Sequence, residues 1–337
     1  MGKHDQSKEK KQTKNKKKRH IGRKIFIFIV ILLAIGAGIF AKKVSDLGGG
    51  WQGFLAAIMG HDEHTLESLD KLYILLMGES TGSSDTIIVL SYDPKTQEAS
   101  MLSIPRDTYI GENKSRANAN NKINSLYTSG QTPEKTIEAV NKITGLDIKD
   151  YLLVDTKAVV ELTKVIGGVE FDVPINMKYD DYSQDLHIDL KAGNQKLTGE
   201  QVEQVVRFRH NNNGSTYSYE YGMEDYGRMK TQRALITAVI KQTFQFKNIK
   251  EIKNIIDIAK KYVKTNMDLD DLKDYLPYAT NLDTETIKQE QLPGESKVLN
   301  GLWFFIYDEE GTKKVVDDLF LSTNQEELPS EMEETNK

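Results

Sequence analysis

Apolar residues follow two alternating patterns between residues 69 and 322. Short continuous apolar runs are typical of buried strands, and longer stretches with apolar residues three or four apart are typical of helices. The predicted strands cover residues 71–77, 86–91, 99–104, 151–154, 169–174 and 287–292. The predicted helices cover residues 133–143, 157–166, 225–247, 248–264, 268–279 and 309–321, with a short helix from Thr198 that leads into Val205. This alternation favours an α/β domain with helices on both faces of a sheet.

Two helix starts are marked by side chains that can bind free backbone N–H groups. Thr198 and Gln201 have the spacing of a capping box, in which each side chain binds the backbone N–H of the other residue. Asp225 begins the next helix, where a carboxylate also complements the helix dipole. Arg228 and Gln232 lie four residues apart, so we expect them on one face of that helix.

The longest apolar run covers residues 25–41, about 17 residues without a charge, and is closed by Lys42 and Lys43. Together with its apolar margins it is just long enough to cross a bilayer core of about 30 Å. A cleaved signal peptide is the rival interpretation, but no Ala-x-Ala cleavage site follows Ala41. We therefore predict an uncleaved transmembrane helix over residues 25–44.

Charge is distributed unevenly along the chain. Residues 1–24 hold 11 Lys and Arg against Asp5 and Glu9, a net charge of +9, so residues 25–337 carry −14 of the total of −5. By the positive-inside rule, the N-terminus is cytoplasmic and the C-terminal domain is extracellular, in a single-pass protein of the cell membrane. The basic charge is local, so a nucleic-acid partner has little support.

The resulting domain prediction has five segments. They are a basic cytoplasmic tail (1–24), a transmembrane helix (25–44), a linker (45–68), an extracellular α/β domain (69–322) and a disordered acidic tail (323–337). The chain has no Cys, which excludes disulfides, thiolate catalysis and Cys-based zinc sites. Its six His are scattered without metal-binding spacing.

Arginine is scarce, and half of it is concentrated in one stretch. The chain has eight Arg among its 45 Lys and Arg, and four of the eight lie between Arg207 and Arg233. The guanidinium group is a planar fork of donors suited to phosphate and carboxylate oxygens, whereas Lys is a point charge on a flexible stem. A chain that uses Lys almost everywhere else is expected to need the fork here.

Two interpretations of this stretch stay open from the residues alone. If Arg207 and Arg209 lie on a strand, their side chains share one face and need an acid or an anionic ligand beside them. A surface network of Arg and Asp salt bridges is one explanation. Arg106 after a predicted strand end and Asp85 before another favour a binding site for a multiply charged anion, of which a lipid-linked pyrophosphate is an example.

Several motifs in the same order resemble the LytR-CpsA-Psr family of Gram-positive envelope proteins. They are Ser84-Asp85-Thr86, Asp93-Pro94-Lys95-Thr96, Leu102-Ser103-Ile104-Pro105-Arg106-Asp107-Thr108, Lys122-Ile123-Asn124, Ile166-Gly167-Gly168-Val169, Leu197-Thr198-Gly199-Glu200-Gln201, Arg207-Phe208-Arg209-His210 and Asp225-Tyr226-Gly227-Arg228 with Gln232. The likeness spans roughly residues 70–320. It implies a three-layer α/β/α domain around a central mixed β-sheet, preceded by one transmembrane helix.

The resemblance also implies a Mg²⁺-dependent phosphotransferase. Such an enzyme takes a glycopolymer from a polyprenyl-pyrophosphate carrier in the membrane lipid and attaches it to peptidoglycan, as in teichoic acid or capsule assembly. By their positions in the motifs, the residues that hold the pyrophosphate would be Arg106, Arg207, Arg209, Arg228 and Gln232. Asp85 would bind Mg²⁺, Asp225 would orient Arg207 or Arg228, and Asp107 is a candidate base.

The chain departs from the family pattern near the predicted metal site. Ser80 stands where the family has its first metal carboxylate, with Glu79 beside it, and Ser83 and Thr231 stand where the family often has Arg. A weaker magnesium site completed by substrate phosphates is still compatible with one carboxylate. Two alternatives to a transferase therefore stay open: a non-catalytic binder of the lipid-linked glycan that acts in envelope regulation, and a pyrophosphatase.

A prenyl chain also needs an apolar groove. The predicted helix 157–166 supplies apolar side chains for one, namely Val159, Val160, Leu162, Val165 and Ile166. At helical spacing such residues are usually ordinary core, so the sequence assigns them no site.

Overall fold

The structure is a computed structural model that describes residues 29–80, 83–128, 130–245, 248 and 251–322. The side chains of Ser80 and Ser83 lie outside this description. So do residues 1–28 and 323–337, which contain the predicted basic tail, the start of the predicted transmembrane helix and the predicted acidic tail. The chain divides into two units, Met1–Ser68 and Leu69–Lys337.

The described part of the first unit is helical. Helix α1 is described from residue 29 to residue 46, α2 is Gly50–Ile58 and α3 is Thr65–Ser68. Leu47 packs with Ala56 and Ala57 in a small cluster. Within the residues described, no helix combines the length and the apolar character needed to span a bilayer. The transmembrane helix over residues 25–44 therefore stays a prediction.

The second unit alternates strands and helices. Its strands are β1 (Leu72–Ser80), β2 (Ser83–Asp93), β3 (Glu98–Ser103), β4 (Asp150–Val154), β5 (Val169–Val173), β6 (Met177–Asp181), β7 (Leu186–Leu190), β8 (Gly193–Leu197), β9 (Val263–Thr265), β10 (Lys288–Gln291), β11 (Gly294–Leu299) and β12 (Leu302–Tyr307). Its helices are α4 (Glu134–Thr144), α5 (Thr156–Val165), α6 (Gly199–Arg207), α7 (Glu224–Thr243), α8 (Ile252–Tyr262), α9 (Leu276–Ala279) and α10 (Glu309–Val316).

Six strands form a mixed central sheet in the order β10-β3-β2-β1-β4-β9. β1 pairs antiparallel with β2 and parallel with β4, and β3 pairs antiparallel with β2 and parallel with β10. The prediction of a mixed central sheet accompanied by helices is confirmed. The Asp85 and Arg106 segments therefore meet at one end of adjacent strands, since β2 begins where β3 ends.

Helices lie against both faces of this sheet. Successive side chains of a strand point to opposite faces, so each face packs against different residues. On one face, Leu75 and Val89 pack in a core that includes Val140 of α4. On the other face, Ile88 packs in a cluster with Ile236 of α7. Burial of both faces explains why the central strands are almost continuously apolar.

A second core lies under two short antiparallel strand pairs. The pairs β5–β8 and β6–β7 pack with α6 and α7, and Phe208 is fully buried among them. Strands β6, β7 and β8 were not predicted, since their outward positions are polar and each strand has only five residues. Phe208 lies between Arg207 and Arg209 in the sequence, so its burial connects both arginines to this second core.

Arg207 and Arg209 do not share a strand, which was the condition under which their side chains would lie on one face. Helix α6 continues to Arg207, and the chain becomes extended only at Phe208. The capping box starts this helix as predicted, with Thr198 Oγ1 accepting from the backbone N–H of Gln201 and Gln201 Oε1 accepting from that of Thr198. Val202 and Val205, three residues apart and both buried, continue it, so helical packing overrides the strand-like run at its end.

The C-terminal third also departs from the predicted elements. The predicted helix 248–264 is α8 followed by the short strand β9, and the predicted helix 268–279 is a 3₁₀ turn, Asp271–Tyr275, followed by α9. The hairpin β11–β12 was not predicted. Its turn residues, Asn300 and Gly301, both have positive φ, which is the backbone of a tight hairpin turn.

We expect Thr198→Ala to lower the free energy of unfolding by about 1 kcal/mol, the usual cost of removing an N-cap side chain. Chemical denaturation of the full-length chain measures this change. Thr198→Ser keeps the hydroxyl and is the matched control, for which we expect nearly wild-type stability. Equal stability of the Ala variant and the wild type would contradict the capping box.

Candidate active site

Asp85 is placed by an irregularity in strand pairing. Gly78 of β1 pairs with Thr86 of β2, but Glu79 pairs with Ser84, so Asp85 is left without a partner on the facing strand. This arrangement is a β-bulge, which locally redirects a side chain and is common beside functional sites. The Asp85 carboxylate points to the end of β3, where Arg106 follows.

Five side chains form an alternating chain of charge around Asp85. Asp85 Oδ1 accepts from Arg106 Nη1 at 2.7 Å, and Asp85 Oδ2 accepts from Arg209 Nη2 at 2.8 Å. Asp225 continues the chain, 3.5 Å from Arg106 Nε and 3.2 Å from Arg228 Nη2. Three guanidiniums thus share two carboxylates. A third carboxylate, that of Asp107, lies 3.7 Å from Arg106 Nε but is paired with Lys122, so the group keeps an excess of one positive charge.

Arg228 is the most constrained member of the group. Its side chain is only 4% exposed, and its Nε has no hydrogen-bond partner among the described residues. Burial lowers the pKa of Arg228; Asp225 opposes this shift, and the nearby Arg209 and Arg106 add to it. An arginine stays protonated in proteins, so the buried Arg228 guanidinium would be stabilised by an additional negative charge beside it.

Arg106 has the opposite balance. Burial lowers its pKa, but Asp225 and Asp85 outweigh that effect, and the net shift of the pKa is upward. Its side chain is 23% exposed, and it lies beside three carboxylates, those of Asp85, Asp225 and, at 3.7 Å, Asp107. Arg106 is therefore the central cation that holds these carboxylates together.

Arg207 approaches from another direction. Its Nη1 lies 3.2 Å from Glu203 Oε1 within α6, and its Nη2 donates to Gln184 Oε1 at 2.9 Å. Gln184 follows strand β6 in the β6–β7 connection, so an element that was not predicted positions a predicted site residue. Asp225 contacts Arg106 and Arg228, so of the two predicted partners it is Arg228 that Asp225 contacts.

Several of these groups line a cavity of about 590 Å³. The polar side chains that line it include Glu79, Asp85, Arg207, Arg209, His210, Arg228 and Gln232. Most of the remaining lining is apolar and comes from β4, α5, α7 and α8, for example Leu152, Val154, Leu162, Val239, Ile255 and Ile258. The cavity is thus apolar along most of its wall and cationic at one part of it.

The structure separates the apolar residues of the predicted helix 157–166 into two groups. Val159 and Leu162 line the cavity, while Ile166 is fully buried in the second core. Val160 and Val165 are half-buried and are not among the lining residues. Helical spacing alone could not separate these groups, because both faces of α5 are covered by other elements.

Gln232 and Arg233 have different roles although they are neighbours. Gln232 lines the cavity, where its Nε2 donates to the carbonyl oxygen of Val206 and its buried Oε1 has no hydrogen-bond partner among the described residues. Arg233 instead donates to Ser103 Oγ at 2.8 Å and is buried under the sheet. Arg233 therefore lies apart from the cavity, whose lining does not include it.

Further polar pairs near the site were missed or left without a role. Asp107 Oδ1 accepts from Lys122 Nζ at 2.7 Å, so the predicted base is already paired with a cation. Glu79 accepts from the Tyr127 hydroxyl, and burial together with this carboxylate raises the pKa of Tyr127 to about 12. His210 also lines the cavity. It had been named only as the last residue of the motif Arg207-Phe208-Arg209-His210, without a role.

The donor set fits a magnesium ion only in combination with ligand oxygens. Within the described residues, no group of three or more His, Asp or Glu side chains is arranged to hold a metal. Asp85 and Glu79 do line the same cavity, and Mg²⁺ is commonly held by one or two carboxylates plus phosphate oxygens. The side chain of Ser80, the other predicted ligand, lies outside the described residues.

Comparison with known proteins decides the family. The sequence profile of the LytR_cpsA_psr family matches residues 5–320. The chain belongs to this family. The chain is similar to a Bacillus cereus protein named polyisoprenyl-teichoic acid–peptidoglycan teichoic acid transferase TagU. The two are 28% identical over 269 residues, which cover 77% of this chain and 81% of that protein.

Two further family comparisons support the match. The Streptococcus mutans biofilm regulatory protein A is 26% identical over 306 residues, covering 83% of this chain and 72% of that protein. The crystal structure of Bacillus subtilis TagV superimposes with a TM-score of 0.61 at 26% identity, covering 75% of this chain and 98% of that one. The family resemblance inferred from the motifs is therefore confirmed.

We expect Arg209→Ala to weaken inorganic pyrophosphate binding by about ten- to a hundredfold, because one charge-assisted hydrogen bond contributes roughly 1.5–3 kcal/mol. Calorimetric titration of the full-length chain measures the affinity. Arg209 is 43% exposed, so its truncation leaves the core intact. Arg116→Ala, at an exposed arginine of the 3₁₀ turn Lys114–Arg116, is the matched control. Equal losses in the two variants would show that binding depends on net charge alone.

Proposed function

We propose that this chain transfers a glycopolymer from a polyprenyl-pyrophosphate carrier to peptidoglycan during cell-wall assembly. The observation that carries the proposal is the cavity itself, whose apolar wall leads to a cluster of arginines. A ligand that fits both parts has a long apolar tail and a multiply charged anionic head. The name of the Bacillus cereus relative TagU describes the same reaction class for that protein.

The two parts of the cavity bind the two parts of such a carrier. The prenyl tail gains free energy from removal of its apolar surface from water, at about 25 cal/mol per Å² buried. Arg207, Arg209 and Arg228 supply fork-shaped donors to the phosphate oxygens, and the free Nε of Arg228 and the excess positive charge favour the anion. The preference for Arg over Lys in this stretch follows from this geometry.

The reaction is a phosphoryl transfer. A hydroxyl oxygen of peptidoglycan forms a new bond to the phosphorus that carries the glycopolymer, and the bond from this phosphorus to the bridging oxygen of the pyrophosphate breaks. The products are a phosphodiester between glycopolymer and peptidoglycan and a polyprenyl monophosphate. Positioning and neutralisation of charge are the main sources of catalysis in such reactions, and the arginines supply both.

The acceptor hydroxyl must lose its proton as the new bond forms. Asp107 and Asp225 are the two carboxylates beside Arg106 other than Asp85. Asp107 lies 2.7 Å from Lys122 Nζ, whereas the nearest cation to Asp225 is 3.2 Å away. Asp225 is also the more exposed of the two, at 38% against 30%, so we assign the proton to Asp225.

Mg²⁺ belongs to the same proposal. Asp85, and with it Glu79 on the facing strand, would hold the ion together with phosphate oxygens, where it would neutralise charge on the transferred group. Both oxygens of Asp85 accept from guanidiniums, so a metal ion at Asp85 competes with Arg106 and Arg209 for them. Ser80 in place of a carboxylate removes one negative ligand from this site.

Location in the cell completes the proposal. We place the chain in the cell membrane as a single-pass protein, with a cytoplasmic N-terminus and an extracellular C-terminal domain. The apolar run at residues 25–41 and the 11 Lys and Arg before it support this topology. It would bring the cavity to the surface on which lipid-linked carriers and peptidoglycan meet.

With polyprenyl-pyrophosphate glycan, Mg²⁺ and peptidoglycan, we expect the full-length chain to form a glycopolymer–peptidoglycan phosphodiester and to release polyprenyl monophosphate. Arg228→Lys keeps the charge but loses the fork, so we expect it to slow transfer at least about tenfold. Arg116→Lys is the matched control and should transfer at the wild-type rate. Radiolabelled donor and chromatographic separation of the products measure both rates.

The outcomes of this assay distinguish a transferase from a binder and from a pyrophosphatase. A binder retains the lipid in the presence of a chelator but cleaves nothing. A pyrophosphatase releases polyprenyl monophosphate at the same rate with and without peptidoglycan. Absence of both lipid binding and cleavage in the wild type would exclude all three.

We expect the affinity for Mg²⁺ to be higher with pyrophosphate present than without it, because the anion supplies ligands and attracts the arginines away from Asp85. Calorimetric titration of the full-length chain with Mg²⁺ in the two conditions measures the difference. Asp85→Asn should abolish the pyrophosphate-dependent gain, and Glu79→Gln should reduce it. Asp172→Asn, at an exposed position of β5 on the second core, is the control. A gain that persists in Asp85→Asn would exclude Asp85 as a ligand.

A further inference from the structure

The hairpin β11–β12 exposes large apolar side chains close to its turn. Trp303 is 64% exposed and Val298 is 52% exposed, and the two residues are paired across the hairpin. Paired residues point to the same face, so their side chains form one surface. An exposed Trp is uncommon in a folded domain and commonly marks a binding surface.

This surface is attached directly to the anion site. The backbone N–H of Phe305 donates to the carbonyl oxygen of Asp107 at 2.9 Å, and the N–H of Tyr109 donates to the carbonyl oxygen of Phe305 at 2.8 Å. Strand β12 is thus bonded to the segment that follows Arg106. Trp303 and Phe305 are two residues apart, so they lie on one face of β12, about 7 Å apart along the strand.

Tyr226 joins the same face from α7. Its ring meets the ring of Phe305 edge to face, with centroids 6.3 Å apart, and its side chain is 38% exposed. Tyr226 follows Asp225, the carboxylate that contacts Arg106 and Arg228. We call Tyr226, Val298 and Trp303 the aromatic ledge.

The parts of the site follow one another in a fixed order. The apolar cavity is lined at its cationic part by Asp85, Arg209 and Arg228, whereas Arg106 and Asp225 contact these residues but do not line the cavity. The aromatic ledge is reached through Asp225 and through the backbone after Arg106. It therefore lies beyond the anion site when the site is approached from the apolar cavity.

This order assigns the ledge to one substrate. In phosphoryl transfer, the attacking and leaving oxygens are roughly in line through the phosphorus. The leaving group carries the prenyl tail, so the attacking hydroxyl enters from the side opposite the apolar cavity. We propose that the aromatic ledge is the acceptor subsite, where Trp303 and Tyr226 bind the sugar rings of the peptidoglycan strand.

The chemistry of the ledge matches that ligand, and this proposal rests on the proposed function. The C–H face of a pyranose ring is apolar and packs on the flat face of an aromatic side chain, while its hydroxyls stay in water. A lipid surface is the competing occupant, since Trp also enters membrane interfaces. The charges of the hairpin cancel in a pair between Lys297 and Glu295, 2.6 Å apart, so it lacks the basic excess that binds anionic lipid.

The test varies acceptor and donor separately in the transfer reaction of the full-length chain. Soluble uncrosslinked peptidoglycan strands are the acceptor. Trp303→Leu keeps an apolar side chain but loses the ring, and we expect it to raise the acceptor KM roughly tenfold while the donor KM is unchanged. Trp303→Tyr restores a ring and should recover most of the affinity. Tyr219→Leu, at an aromatic residue that is 86% exposed, is the control and should leave both constants unchanged.

A second measurement does not depend on catalysis. Co-sedimentation with purified peptidoglycan, and separately with vesicles of phosphatidylglycerol, measures binding of the same variants. Loss of peptidoglycan binding in Trp303→Leu but not in Tyr219→Leu supports the subsite. An unchanged acceptor KM, a raised donor KM, or loss of vesicle binding with peptidoglycan binding intact overturns it.

Failure of the proposed function has a different signature. If the wild type transfers nothing, the transferase is wrong and the sedimentation measurement alone decides on the ledge. Binding of peptidoglycan that depends on Trp303 then supports the ledge as a glycan site, and binding that is independent of Trp303, or no binding, overturns it.

Discussion

The sharing of Asp85 between Arg106 and Arg209 holds the candidate active site together. Arg106 follows β3, Arg209 follows α6 and Asp85 lies in β2, so two hydrogen bonds of 2.7 and 2.8 Å join three separate parts of the chain. A carboxylate between two guanidiniums offsets their mutual repulsion, which otherwise would drive them apart. The positions of Asp225 and Arg228 depend on this unit, because Asp225 is held from one side by Arg106.

The network is stable without being neutral. Its buried cation, Arg228, is compensated only in part, and burial of an incompletely paired charge costs several kcal/mol in proteins. The cost is tolerated where the surrounding core is strong, and here the fully buried Phe208, between Arg207 and Arg209 in the sequence, packs in the second core. A preorganised excess of positive charge can then bind an anion with little rearrangement, which is the arrangement that favours catalysis of phosphoryl transfer.

The sequence predicted the central strands, the helices α4, α5 and α10, and the capping box of α6, because those segments have strong apolar periodicity or a specific cap. It also named arginines of which Arg106, Arg209 and Arg228 share Asp85 and Asp225, whereas Arg207 contacts Glu203 and Gln184. It did not predict the end of α6 at Arg207, the bulge at Asp85 or the partners of Arg207, since these depend on contacts between distant segments such as Gln184. Short polar strands such as β6 and β8 carry too weak a periodic signal. The hairpin β11–β12 was missed although Asn300-Gly301, before the apolar run Leu302–Tyr307, is a hairpin signal.

The bulge at Asp85 also makes the site sensitive to the smallest change in chain length. A bulge is a single unpaired residue, and deletion of one codon beside it would restore regular pairing between β1 and β2. Side chains alternate along a strand, so the carboxylate would then turn to the opposite face while Leu75 and Val89 keep their places in the core. One mutational step could therefore switch a lineage between an intact and a dismantled arginine network on an unchanged scaffold.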